Sequence, residues 1–123
     1  MRKRFSTLAS VVSLLALAAC TSDAEERERL TSEVRAALKA EGCSDVAACK
    51  IAGIGVRGCG GPREYVVYCE TSTDKALLDQ KLAAVAEHDR KTNEEDADDG
   101  FSDTCEFEPA PQVVRVDGVC RTR

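Results

Sequence analysis

The chain has 123 residues, a formal net charge of −5, seven cysteines and no tryptophan. That length suits one small domain, and an acidic balance argues against nucleic-acid binding, which needs clustered lysine and arginine in the folded part of a chain. Three phenylalanines and two tyrosines make a core poor enough in large side chains to need covalent staples.

In chain order, Arg2-Lys3-Arg4 comes first, followed by an apolar run from Leu8 to Leu17 broken only by Ser10 and Ser13. The run is shorter than the roughly 20 residues a bilayer span needs, and has the form of a signal peptide. Its end, Leu17-Ala18-Ala19-Cys20, resembles the lipobox of bacterial lipoproteins. The resemblance implies that residues 1–19 are a signal peptide that is removed. It implies a diacylglycerol on the Cys20 sulfur and an acyl chain such as palmitate on the new amine. Thr21 stands where aspartate favours inner-membrane retention, so the expected address is an outer membrane, facing the periplasm, in a diderm cell. Three of the 17 basic and none of the 22 acidic residues precede Cys20, which leaves 14 against 22 and a mature charge near −8. Such a chain has no electrostatic attraction to anionic lipid, so membrane attachment falls to the lipid anchor.

With Cys20 assigned to lipid, six cysteines remain: Cys43, Cys49, Cys59, Cys69, Cys105 and Cys120. An even number in an exported small domain predicts three disulfides. No C-x-x-C pair is present and His88 is the only histidine, so neither a zinc site nor another metal cofactor is expected. Six cysteines allow many connectivities. Cys105 with Cys120 is the most plausible local pair, and Cys49 and Cys69 are expected to face each other across a hairpin.

Residues 20–28 are expected to form a lipidated tether and 29–123 the folded domain. Ser22-Asp23-Ala24-Glu25 has the form of a capping box, so a helix could begin there; the alternative for 21–28 is a solvated, frayed stalk. Leu30, Val34, Ala37 and Leu38 recur at helical spacing, with Gly42 as the stop. A strand is expected over 48–56, with Gly53 as a bulge that reconciles Ile51 with Ile54 and Val56. Cys59-Gly60-Gly61-Pro62 predicts a tight turn. Tyr65 to Cys69 alternates as a strand with apolar side chains on both faces. Thr73 or Asp74 caps a second helix, with Leu78, Leu82 and Val85 as its stripe, running to about Arg90 and followed by an acidic loop over 93–100. Cys105–Glu108 and Gln112–Cys120 are expected as two final strands, with a turn signal at Asp117-Gly118. The order predicts an α+β domain, with a small antiparallel sheet of about four strands, two helices on one face and disulfide staples.

The segment Cys59-Gly60-Gly61-Pro62-Arg63-Glu64-Tyr65-Val66-Val67-Tyr68 resembles the C-G-G-P-x-x-Tyr-x-x-Tyr segment of a group of uncharacterised small bacterial lipoproteins. Cys69 stands where that group often has serine, and Ser102 to Cys105 echoes its later Ser-x-Cys element with one extra residue. The resemblance covers about residues 49–120 and implies a domain boundary, without an activity. Gln112-Val113-Val114-Arg115-Val116 resembles the Q-x-V-x-G hairpin of cystatin-type inhibitors, with Val116 in place of the glycine.

Candidate sites are few. His88 beside Asp89 is expected to be a boundary residue rather than a catalytic base, and no G-x-S-x-G elbow or P-loop occurs. If Gly100 is placed sixth in an EF-hand loop, Glu95 falls first, Asp99 fifth, Asp103 ninth and Glu106 twelfth, with Ala97 in place of a ligand. Calcium there is a minor hypothesis. The sequence therefore predicts a non-enzymatic, membrane-anchored lipoprotein that binds another cell-envelope protein. The alternative is an inhibitor of exported hydrolases such as a protease or lysozyme.

Overall fold

The computed structural model describes residues 22–100, 105, 106 and 108–123. The lipobox, Cys20, Asp103 and the Ser102 echo lie outside those residues. Helix α1 spans Asp23–Ala37 and helix α2 spans Lys75–Asp98. Strands β1 (Cys49–Ile54) and β2 (Glu64–Cys69) form one antiparallel pair, and β3 (Val113–Val116) and β4 (Val119–Thr122) form another. The α+β class is as expected, with the four strands split over two sheets.

The capping box at the start of α1 is complete: the Ser22 hydroxyl accepts from the Glu25 N–H and the Glu25 carboxylate accepts from the Ser22 N–H. Residues 23–28 are therefore helix and not a frayed stalk. Helix α1 ends at Ala37, well before Gly42, because the next carbonyls are needed elsewhere. Lys39 O accepts the outward N–H of Cys69 in β2, and Ala40 O accepts that of Cys120 in β4. This connector stitches the two sheets together and replaces the expected direct pairing between them.

Strand β1 is regular from Cys49 to Ile54, with no bulge. Ile51 and Ile54 need no reconciling, because both faces of β1–β2 are covered. Ile54, Ala52, Val66 and Tyr68 face the helices and pack with Val34, Leu78 and Val85. Val67 and Cys69 face the other way, against Cys43, Cys49, Cys120 and Val113. The molecule is three layers deep, in the order helices, β1–β2, β3–β4. Gly53 is required for another reason: a Cβ there would lie 2.7 Å from Pro62 Cβ.

Helix α2 runs eight residues past Arg90, through the segment expected to be a loop. The stretch Asn93–Asp98 holds no proline or glycine to stop a helix, and Asn93 is fixed on both sides by hydrogen bonds described below. Gln112–Cys120 is divided by the Asp117-Gly118 turn, where φ is +51° and +78°, the two-residue geometry that matches strand twist. Cys105, Glu106 and Glu108 lie outside any strand.

Candidate functional site

All six cysteines are paired: Cys43–Cys69, Cys49–Cys120 and Cys59–Cys105. Cys49 and Cys69 are direct cross-strand neighbours, as expected, yet each is bonded to a different element. Cys105 reaches Cys59 at the β1–β2 turn, not Cys120. This pairing follows from the layering. With β3–β4 packed on the outer face of β1–β2, Cys120 faces Cys49, while the segment leading to β3 starts beside the turn. Sulfurs of Cys43, Cys49 and Cys120 lie within 4.8 Å of one another, a proximity that two adjacent disulfides account for without a metal.

On the helix side sits a polar hub centred on Asp89, which is 1% exposed. Arg27 of α1 donates to it through Nε at 2.9 Å and Nη2 at 3.3 Å. The Val56 N–H donates at 3.0 Å and Arg63 Nε at 3.1 Å. Burial pushes the Asp89 carboxyl up, but the Arg27 hydrogen bond, the Val56 N–H and the two guanidinium charges outweigh it and hold the group below the usual aspartate range. An ionised, donor-saturated carboxylate is a poor proton acceptor, and this one ties α1, the β1–β2 connection and the start of β2 together. Arg63 also donates to Asn93 Oδ1 at 3.0 Å, and Asn93 donates to Val56 O at 3.0 Å. Gly55 makes room for the hub: its φ is +76°, and a Cβ would lie 2.2 Å from Asp89 Oδ2.

His88 is mostly buried, with its Nδ1 lacking a hydrogen bond among the described residues and 3.8 Å from Asp89 Oδ1. Tyr68 is in the helix-side core, and Tyr65, on the opposite face, donates its hydroxyl to Glu108 O at 3.4 Å. Gly60 and Gly61 close the turn, where Arg57 N–H donates to Gly61 O at 2.9 Å. Glu95 lies within α2 and Asp99 caps it, so a calcium loop running from Glu95 to Glu106 would have to begin in helix. A groove of about 540 Å³ runs beside the hub, lined by Val56, Arg57, Arg90, Asn93, Ala97 and Cys105 among others.

The Gln112–Val116 stretch forms the first strand of the terminal hairpin. Val113 and Cys120 point into the disulfide cluster, which puts Val114, Val116, Val119 and Arg121 on the outer face. Val116 is 47% exposed, and Arg121 and Arg123 are exposed.

Sequence reasoning missed the Asp89 hub. Its signal was present, since Asp89 continues the spacing of Leu78, Leu82 and Val85 on the buried stripe, and a carboxylate there demands cationic partners. No helix among the described residues is long and apolar enough to cross a membrane. Compared with protein-family models, curated proteins and solved structures, the chain matches none.

Proposed function

We propose that the protein is a non-enzymatic lipoprotein: a disulfide-stapled binding domain held on a cell-envelope membrane by lipid on Cys20. The observation that carries this is the fate of the cysteines. The six that follow Cys20 pair among themselves, and the seventh is left over at the lipobox. Three disulfides are compatible with export. Two or three acyl chains, each worth about 0.8 kcal/mol per buried methylene, hold a protein of this size firmly. Thr21 directs it to the periplasmic face of the outer membrane in a diderm host. Helix α1 is capped at Ser22, two residues past Cys20, so the anchor joins the end where α1 meets the acidic tail of α2. The β3–β4 hairpin then stands at the far end of β1–β2, free to meet another envelope protein.

The test is detergent phase partition of the full chain expressed in a diderm bacterium fed an alkyne fatty acid. Wild type is expected in the detergent phase with label, and Cys20→Ala in the aqueous phase without it. Equal partition and labelling of the two would contradict the anchor.

A further inference from the structure

A sheet face that carries apolar side chains is buried in a folded domain against another layer. Both faces of β1–β2 and the inner face of β3–β4 are covered in this way. The helices lie on the far side of β1–β2, so the outer face of β3–β4 has no helix layer over it. That face is nevertheless apolar along its length. Val116 and Val119 are directly opposed, and Val114 lies on the same face opposite Arg121. Val116 is 47% exposed, and Val46, 51% exposed, belongs to the Val46–Ala48 3₁₀ turn that packs beside β3. The Arg123 N–H donates to Gln112 O at 2.9 Å, which continues the ladder and sets Arg123 on the same side as Arg121.

The charge on this face opposes that of the whole chain. Among the described residues, every other arginine is held by a carboxylate or a backbone carbonyl. The guanidinium groups of Arg121 and Arg123 make no such bond, and both residues are exposed. An acidic chain thus leaves a pair of neighbouring arginines unmet beside an apolar row, which is complementary to an apolar surface rimmed with carboxylates. Asp117 in the turn is the hairpin's single acid. A second copy laid face to face would offer that one carboxylate to a pair of arginines and leave a cation unmet on each side. A helix is about 10 Å across, wide enough to cover strands about 4.8 Å apart. Leu78 and Val85 of α2 cover β1–β2 in the same manner on the other side of the molecule. The apolar stripe of such a helix would lie on the valines. Glutamates flanking that stripe would lie on the same docking side and meet Arg121 and Arg123.

We propose that the outer face of β3–β4 docks an amphipathic helix of a partner protein, one with carboxylates beside its apolar stripe. The proposal rests on the binding-domain function above and names the surface and the partner chemistry. The probe is a capped helical peptide with a leucine stripe flanked by glutamates, titrated into the full chain in nonionic detergent micelles. The methyl resonances of Val114, Val116 and Val119 should shift, with half-saturation below about 1 mM that rises with salt. A peptide with the same stripe flanked by lysines enters a nonionic micelle equally and should need roughly threefold more or higher. Arg121→Gln with Arg123→Gln should raise the half-saturation concentration for the glutamate peptide by roughly threefold or more. Val116→Ser should raise it by roughly fivefold through lost apolar burial. These side chains are exposed, so the disulfides and the thermal midpoint of both variants should match wild type. Overturning results are no shift at millimolar peptide, equal half-saturation with the lysine peptide, or half-saturation unchanged in both variants. Concentration-dependent shifts of the same methyls without peptide would overturn it in favour of a second copy. Shifts produced by anionic phospholipid vesicles but not by peptide would overturn it in favour of a lipid surface. The peptide result does not depend on the lipid on Cys20, so failure of the anchor in phase partition leaves this test standing, and the converse holds.

Discussion

At the scale of single residues, Asp89 carries the most. It joins α1 through Arg27, the β1–β2 connection through Val56, and the start of β2 through Arg63. Breaking a buried pair by removing one partner costs about 3–5 kcal/mol. Arg27 and Arg63 are 29% and 31% exposed and regain some water, so Asp89→Ala should fall at the lower end of that range, observed as a lower midpoint in thermal unfolding. The pH dependence follows from the sign of the shift. The folded-state pKa lies below the ordinary value, so the stabilisation is present above the unfolded pKa, about 3.9, and is lost as pH falls through the folded value. The gap in melting temperature between wild type and Asp89→Asn should therefore be widest near neutrality and narrow in acid; a gap constant from neutral to strongly acidic pH would refute the charge-based origin. Gly55→Ala should destabilise by about 1–3 kcal/mol through positive φ alone, and more through the close approach to Asp89 Oδ2. Chemical denaturation measures both variants. The sequence displayed Asp89 on an apolar stripe, but not its partners: Arg27 is 62 residues away and Arg63 26. Such distant meetings are set by tertiary packing, which no local pattern encodes.

At the scale of elements, capping chemistry and periodicity were legible. The capping box begins α1, the Leu78–Val85 stripe is buried, and Asp117-Gly118 turns the hairpin. Element ends were not legible wherever a distant segment set them. Helix α1 stops early to release Lys39 and Ala40 carbonyls to β2 and β4, and α2 runs long with Asn93 held by Arg63 and Val56. Disulfide pairing was hidden for the same reason, since it depends on the stacking of β3–β4 on β1–β2. The three bridges should differ in reactivity. Cys59 and Cys105 are exposed, whereas the other four cysteines are at most 7% exposed. Thiol–disulfide exchange requires access to the sulfur. Limited reduction under native conditions, followed by alkylation and peptide mapping, should therefore open Cys59–Cys105 first. Simultaneous opening of all three would show that reduction proceeds through global unfolding instead. Replacing Cys49 and Cys120 together with serine removes the bridge of longest span and should cost about 2–5 kcal/mol in denaturant titration.

At the scale of the whole molecule, charge is arranged along one axis. The acidic tail of α2, with Glu94, Glu95, Asp96 and Asp98, lies toward the end that carries the N-terminus of α1. The arginine-rich hairpin lies with the Cys49–Cys120 bridge, at the opposite end of β1–β2 from the turn. An anchor on Cys20 would place the acidic end nearest the lipid, where an anionic surface repels it and keeps the domain standing off the bilayer. Raising salt should then let the domain approach the surface, read as increased energy transfer between a dye on the hairpin and a lipid dye. A decrease would contradict that orientation. The most direct test of anchored display is the intact mass of the protein purified from the envelope of an expressing diderm bacterium, under non-reducing conditions with free thiols alkylated. A chain that begins at Cys20, carries diacylglycerol and takes up no alkylating label is expected. A chain that retains residues 1–19, or that carries an unmodified Cys20, would contradict it.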